Sequence, residues 1–289
     1  MSALLRESIR TREIVESDLD GVVQLLTKGF YRCSSPYWRR GLDILVEHPR
    51  LPELPKYGYL LEHDGRPVGV IILISTTIRS SGSSAIRCNV SSWYVDPAFR
   101  SYATLLASRA TRNRNVTYLN ISPAPHVPPI IEAQGFLRYS SGQFVTFAWS
   151  TRSCPGAKVF EVGCSRDLQL DSSDRELLLA HAKYPCISLW CETSTGAHPF
   201  VFIPRLVKRI VPCAQLIYCR SIEDFVKFSG PLARFLALRG RPLMLIDSNG
   251  PISGLTGMYF DDVAPKYFKG PARPRLGDLA YTEAAIFGI

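Results

Sequence analysis

AIRCNVSSWYVDPAFRSYATLLASRATRNRNVTYLNISPAPHVPPIIEAQG, residues Ala85 to Gly135, is the stretch whose reading decides the fold. Ala85 to Val95 is rich in β-branched and aromatic residues, as a strand should be, and Asp96-Pro97 stops it because proline has no N–H for a ladder. From Arg100 to Arg114, the apolar residues Tyr102, Leu105, Leu106 and Ala110 recur at helical spacing, with Arg109, Arg112 and Arg114 towards the C-terminal end. Val116 to Ile121 is a short strand. Ser122 to Pro129 is a proline-interrupted turn, and Ile130 to Gln134 is a short helix stopped by Gly135. Strand, turn, helix, strand, turn, helix is the pattern of an α/β layer with parallel strands joined by a crossover helix.

The first turn carries the chemistry. A helix that starts directly after a strand aims unpaired N–H groups and the positive end of its dipole beyond the strand's end. No acidic residue occurs between Asp96 and Glu132, while Arg100, Arg109, Arg112 and Arg114 fall inside that span. The expected guest is an anion.

Val95, Pro97, Phe99 and Arg100, followed by small residues and Leu105-Leu106, resemble the V-x-P-x-[YF]-R signature of the GNAT superfamily of acyl-CoA N-acyltransferases. Gly135-Phe136 resembles that family's later G-F pair. The resemblance implies that the fourth strand pairs with the pantetheine arm of CoA along Trp93, Tyr94 and Val95. It also implies that Arg100, Ser101, Tyr102, Ala103 and Thr104 cradle the pyrophosphate, and that a backbone N–H near Tyr94 stabilises the oxyanion. The family loop is usually R-x-x-G-x-G/A, because glycine lets backbone approach phosphate; here only Ala103 is small. Ile131 stands where the family commonly has a tyrosine that protonates the departing thiolate.

The chain of 289 residues suggests two domains, and 46% apolar with 20% charged residues indicates a globular protein. The longest apolar run, Val68 to Ile74, is too short to span a membrane. Arg6, Arg10 and Arg12 have no apolar block behind them, so neither a signal peptide nor a location other than the cytoplasm is expected. The net charge of +9 suits a polyanionic cofactor, nucleic acid, an acidic carrier protein or an anionic membrane surface. No basic patch interleaved with aromatics singles out nucleic acid, which is not expected as a partner. Eight cysteines without metal-site spacing or a secretory signal read as reduced core residues, with no metal.

Outward from the deciding stretch, Ile9 to Val15 reads as a strand, Ser17 to Leu26 and Pro36 to Glu47 as amphipathic helices, and Tyr57 to Glu62 and Pro67 to Ile78 as strands. His63-Asp64-Gly65 makes the hairpin between the last two. Tyr37, Trp38, Arg39 and Arg40 are placed by the resemblance on the wall of an acceptor cleft, although packing in the core or in a lid is the commoner role for aromatics there. The order over residues 9 to 150 is that of the GNAT fold. Thr151 to Gly156 reads as a linker, giving domains 1–150, acyl-CoA-binding, and 151–289, structural or forming the acceptor pocket. In the second, Asp174 to Ala182 and Ile222 to Leu238 read as helices, the latter broken near Gly230-Pro231. Ile187 to Glu192, Phe200 to Ile203, Ala214 to Cys219 and Leu243 to Asp247 read as strands, and Asp261 to Pro271 as a loop. The echo of the first half suggests two GNAT-like α/β (α+β mixed-sheet) folds in tandem. The second is the weaker candidate for CoA, because Glu223 and Asp224 follow Cys219 where phosphate would be repelled.

Acyl transfer from thioester to amine needs a neutral amine, donors for the oxyanion and a proton for the thiolate, and positioning supplies much of the rate. No carboxylate lies on the fourth strand. Ser122 and His126, after the fifth strand, are the catalytic candidates, each with a structural alternative as a turn or helix cap. Glu132, Asp262, Tyr267 and Tyr281 are further acceptor contacts, and Cys88 reads as a buried thiol rather than a nucleophile. The leading function is transfer from acetyl-CoA or another acyl-CoA to an amine of a small molecule or amino sugar, by a monomer or homodimer. Two others compete: transfer from an acyl carrier protein, whose acidic surface suits the charge, and a non-catalytic CoA-binding scaffold, motivated by the absent glycine and tyrosine.

Overall fold

The computed structural model describes residues 9–80, 83–147, 154–164, 170–207 and 210–288. The chain forms two compact units, Met1–Asn120 with Phe268–Ala272, and Ile121–Tyr267 with Arg273–Ile289.

In the first unit, β1 (Ile9–Glu13), α1 (Leu19–Gly29), α2 (Ser35–Glu47), β2 (Gly58–His63), β3 (Arg66–Ser80), β4 (Ser83–Val95), α3 (Ala103–Ala110) and β5 (Val116–Asn120) follow one another. The strand order is β1-β2-β3-β4-β5. The first three pairings are antiparallel and β4–β5 is parallel, as the α3 crossover requires. Asp64 and Gly65 both have positive φ, 48° and 77°, the turn that Asp-Gly favours. Val70 to Leu73 are fully buried, so β3 is the central strand its apolar run predicts. Helix α1 buries Leu19, Val22, Val23, Leu25 and Leu26, and α2 buries Trp38, Leu42 and Leu45. Trp38 packs on Phe30 with ring centroids 5.4 Å apart, which gives it a core role.

The helix expected from Arg100 to Arg114 is shorter. Pro97–Tyr102 is a 3₁₀ turn, and α3 begins only at Ala103. Proline at the start holds the chain in the tighter turn, and Thr111 ends the helix with its Oγ donating to the Ala107 carbonyl at 3.0 Å.

The second unit comprises α4 (Pro128–Ala133), β6 (Leu137–Phe147), β7 (Lys158–Glu161), α5 (Ser172–His181), β8 (Ile187–Thr193), β9 (Gly196–Val207), β10 (Val211–Cys219), α6 (Ile222–Ala237), β11 (Leu243–Ser248), β12 (Gly257–Lys269) and α7 (Glu283–Phe287). The last residues of β12 count with the first unit. The order is β12-β6-β11-β10-β9-β8-β7. Pairings β7–β8, β8–β9 and β9–β10 are antiparallel and β10–β11 is parallel across α6, the same sequence of pairings as β1 to β5. The core gathers Phe144, Phe200, Phe202, Phe225 and Phe228. β6 lies in this unit because Gly142 to Phe147 pair with β11. The division at residue 150 follows the order of elements rather than their contacts, and remains a proposal for where one repeat gives way to the next.

Two local expectations are corrected, and one strand was not anticipated. Helix α6 runs unbroken through Pro231, where every residue from Phe228 to Ala233 is buried and packing outweighs the lost hydrogen bond. The supposed loop from Asp261 to Pro271 is mostly strand β12, disguised by Asp262 and Ala264, whose φ values of 58° and 51° break a regular alternation. Strand β7 is four residues long and was hidden by its length. Of the expected linker, residues 151–153 lie outside the described residues.

Candidate functional site

Strand β4 is where the first unit departs from a plain sheet. Val70 faces Tyr94 and Ile72 faces Ser91, so three steps on β4 oppose two on β3. The extra residue is a bulge at Ser92-Trp93, with Ser92 at φ 46°. On its other side, β4 pairs with β5 only from Ile86↔Val116 to Asn89↔Leu119. Asn89 sits at the end of that ladder, its Nδ2 donating to the Leu119 and Val90 carbonyls at 3.3 Å each. Among the described residues, no strand pairs with Val90–Val95 on that side. Such a backbone edge is suited to an extended ligand that adds as a further strand.

The side chains at the bulge fall into two groups. The Tyr94 hydroxyl donates to Asp96 Oδ1 at 2.9 Å, and Lys28 Nζ lies 2.8 Å from the same oxygen. Burial raises the Tyr94 phenol pKa, with the bond to Asp96 adding to it. The Tyr94 ring lies against Gly29 of α1, where a Cβ would stand 2.3 Å from it. Trp93 is half-buried, and its Nε1 is buried without a hydrogen-bond acceptor.

After Val95 the 3₁₀ turn uses some of its own donors. Phe99 N–H bonds the Asp96 carbonyl at 2.8 Å and Ala103 N–H bonds the Arg100 carbonyl. The first turn of α3 contains no acid. Arg100 and Ser101 are exposed, and Tyr102 is 42% exposed. Trp93, Tyr94 and Val95 thus lie on the bulged strand end, with Val95 buried, and Arg100, Ser101, Tyr102, Ala103 and Thr104 on the turn and helix start that follow it in sequence.

Ser122 and His126 belong to the second unit. The Ser122 hydroxyl donates to Glu283 Oε1 at 2.6 Å, and Glu283 is 1% exposed at the start of α7. His126 is exposed in the turn before α4. Glu283 was missed because it stands alone in an apolar run, where only its burial distinguishes it. Tyr267 is buried and hydrogen-bonds Glu132, and Asp262 pairs with Arg138 at 2.9 Å. Burial pushes the Cys88 thiol up to about 12, which removes it as a nucleophile at neutral pH. Among the described residues, no cluster of His, Cys, Asp and Glu could hold a metal ion.

The second unit repeats the bulge and then fills the edge beside it. On β10, Leu216 and Tyr218 face the consecutive residues Phe202 and Val201, leaving Ile217 extra, and pairing with β11 runs only from Cys213 to Gln215. Past that point the chain's own residues 277–279 occupy the strand edge. Leu279 N–H donates to the Ile217 carbonyl at 2.7 Å, Cys219 N–H donates to the Gly277 carbonyl at 3.0 Å, and Tyr218 and Asp278 form an antiparallel bridge. Arg275 secures the segment, lying over the Tyr218 ring and donating to the Gly277 carbonyl at 3.2 Å. Helix α6 then opens with Glu223 and Asp224, where the first turn of α3 has no acid.

No family model matches the sequence, and no curated protein matches it. Solved structures do match in fold. A GCN5-related N-acetyltransferase from Anabaena variabilis aligns with TM-score 0.59 at 10% identity, over 90% of this chain and 72% of that one. A GCN5-related N-acetyltransferase from Kribbella flavida aligns with TM-score 0.54 at 12% identity, over 92% and 72%. A conserved protein from Enterococcus faecalis aligns with TM-score 0.57 at 10% identity, over 95% and 74%. The chain has the mixed α/β fold of the GCN5-related N-acetyltransferases.

Proposed function

We propose that the protein is an N-acyltransferase that binds acetyl-CoA or another acyl-CoA in its first unit and passes the acyl group to an amine of a small molecule or amino sugar. The observation that carries this reading is the contrast between two equivalent strand edges, β4 left open and β10 filled by residues 277–279. The fit to a CoA thioester rests on two features. The strand edge past the end of the β5 pairing accepts the amides of a pantetheine arm, and the acid-free turn from Pro97 to Thr104 faces a polyanion with Arg100 beside it.

In this reading the backbone of Trp93, Tyr94 and Val95 aligns the thioester, and N–H donors at the bulge take up charge on its oxygen as the amine nitrogen attacks. The C–N bond forms, the C–S bond breaks, and the departing thiolate is neutralised by the proton shed from the attacking nitrogen. Alignment supplies most of the rate.

The test is calorimetric titration with acetyl-CoA, a longer acyl-CoA and free CoA, followed by thiol release in the presence of a panel of amines. One donor site per chain is expected. Arg100→Glu should weaken donor binding at least tenfold, about 1.4 kcal/mol. Two equal sites, or an Arg100→Glu variant with unchanged affinity, would refute the assignment.

A further inference from the structure

We propose that a cavity in the second unit, between the first turns of α6 and the loop that follows β11, binds the zwitterion of an apolar α-amino acid. The cavity measures about 800 Å³. Ile222 and Val226 on α6, Ile252 on the loop and Leu276 are half-buried in its lining, with Pro251 at the rim. These are described residues of the second unit. The wall is preformed. Leu255 N–H donates to the Ile252 carbonyl at 3.2 Å, and Gly254, at φ 86°, passes so close to α6 that a Cβ there would stand 2.9 Å from a Val226 methyl. Arg275 holds Leu276, donating to its carbonyl at 3.4 Å and to that of Gly277 at 3.2 Å.

Among the described residues the charged side chains of the lining are Glu223 and Lys227, one turn apart on α6. No ion pair joins them, so neither neutralises the other. Asp224 beside them is engaged elsewhere, its Oδ2 lying 3.2 Å from His198 Nδ1. Glu223 is ionised at neutral pH, because hydrogen bonds from its own N–H and from the Ser221 hydroxyl hold its carboxyl below the ordinary 4.5. The Lys227 ammonium stands 5.0 Å over the Phe228 ring, and among the described residues it has no carboxylate or carbonyl partner.

An apolar floor beside one carboxylate and one ammonium selects the ligand by charge and by span. Glu223 repels a polyanion, and a simple amine or a fatty carboxylate leaves one of the two charges unanswered. Residues four apart on a helix have Cβ atoms about 5–6 Å apart, and long Glu and Lys side chains converge on a target narrower than that. The ammonium and carboxylate of a free amino acid share one carbon and fit between them, whereas each residue added to a peptide moves its termini apart by up to about 3.5 Å. The side chain of the amino acid then lies on Ile222, Val226, Ile252 and Leu276, where a larger apolar group gains more. None of this depends on whether the first unit binds an acyl-CoA.

The experiment is calorimetric titration of the full chain with leucine, alanine, N-acetylleucine and leucinamide. Leucine should bind at one site per chain, and alanine, whose side chain is a single methyl, about tenfold or more weakly. N-acetylleucine, which lacks the cation, and leucinamide, which lacks the anion, should each lose about tenfold or more. So should Glu223→Gln and Lys227→Met, both at exposed positions, with circular dichroism reporting the fold. Arg100→Glu should leave leucine affinity unchanged, which separates failure of this site from failure of the donor surface. No leucine binding up to about 10 mM overturns the proposal. So does leucinamide or N-acetylleucine binding as tightly as leucine, or leucine affinity unchanged in either the Glu223→Gln or the Lys227→Met variant.

Discussion

Gly29→Ala sets two effects of opposite sign against each other, and the structure decides between them. Gly29 is the last residue of α1 and has no positive φ, so alanine there should gain up to about 1 kcal/mol of helix propensity. Its Cβ, however, would meet three Tyr94 ring carbons at 2.3, 2.4 and 2.9 Å. The first two are Cδ2 and Cγ, close to the backbone, so the ring cannot swing clear by bending at its far end. Its hydroxyl is also tied to Asp96, and its backbone is in register with Val70. Overpacking of this kind costs about 1–3 kcal/mol, so the net expectation is a loss of about 1–2 kcal/mol. In a chain of this size that lowers Tm by roughly 2–3 °C, read by calorimetry. In a Tyr94→Ala background the clash is gone, and the same Gly29→Ala change should be neutral or stabilising. The double-mutant cycle should therefore show coupling of about 2 kcal/mol. An unchanged or raised Tm in the single variant, or the same shift in both backgrounds, refutes the reasoning.

Arg12 bonds Asp18 at 2.5 Å and Glu62 at 2.7 Å, and Arg10 bonds Glu62 at 2.8 Å. The bond to Arg12 holds Asp18 below its ordinary 3.8, while for Glu62 burial pushes up and the two guanidinium groups outweigh it to hold the pKa below 4.5. Carboxylates depressed by folding stabilise above their unfolded pKa and lose that contribution as pH falls through the folded one. Urea midpoints should therefore fall below about pH 4.5, and Arg12→Leu should flatten that limb. An identical limb in the variant would exclude this source. Lys266 and Asp247 form an ion pair at 2.8 Å with side chains only 3% and 4% exposed, assisted by Gln143 at 3.3 Å. Lys266→Met alone should cost about 3–5 kcal/mol in chemical denaturation, and adding Asp247→Leu should recover most of it. No recovery in the double variant would mean the pair does something other than neutralise itself.

The legible parts of the fold were those in which local chemistry and tertiary packing agree. Asp64-Gly65 names its turn, Pro97 stops β4, and the apolar run of β3 can only be central. Elements whose pairing is decided far away were not legible. Lys266-Tyr267-Phe268 is buried strand, yet Asp261, Asp262 and Pro265 beside it suggest a loop. The proposed donor surface was legible as a turn after a strand, because the proline and the absence of acid are local. The bulge at Ser92-Trp93 was not, since it exists only as a register against β3. The Ser122–Glu283 bond joins residues 161 apart in sequence, a pairing that no local pattern announces.

The two bulged strands turn a comparison of folds into an argument about sites. An unpaired strand edge leaves donors and acceptors to water or to a stray chain, and proteins generally cover, twist or charge it. At β10 the cover is residues 277–279, bonded at both ends and held by Arg275. The chain therefore has the means to close such an edge. At β4 the same bulge is followed by a proline-led turn with no acid and by a helix start flanked by Arg100, and among the described residues no strand pairs with Ser92–Val95 on that side. Two halves that share a sequence of pairings and a bulge, but differ in whether the edge is filled, are what the proposed function requires. In that reading the half that supplies its own strand needs no ligand, and the other would receive one with amides along its length and negative charge at its end.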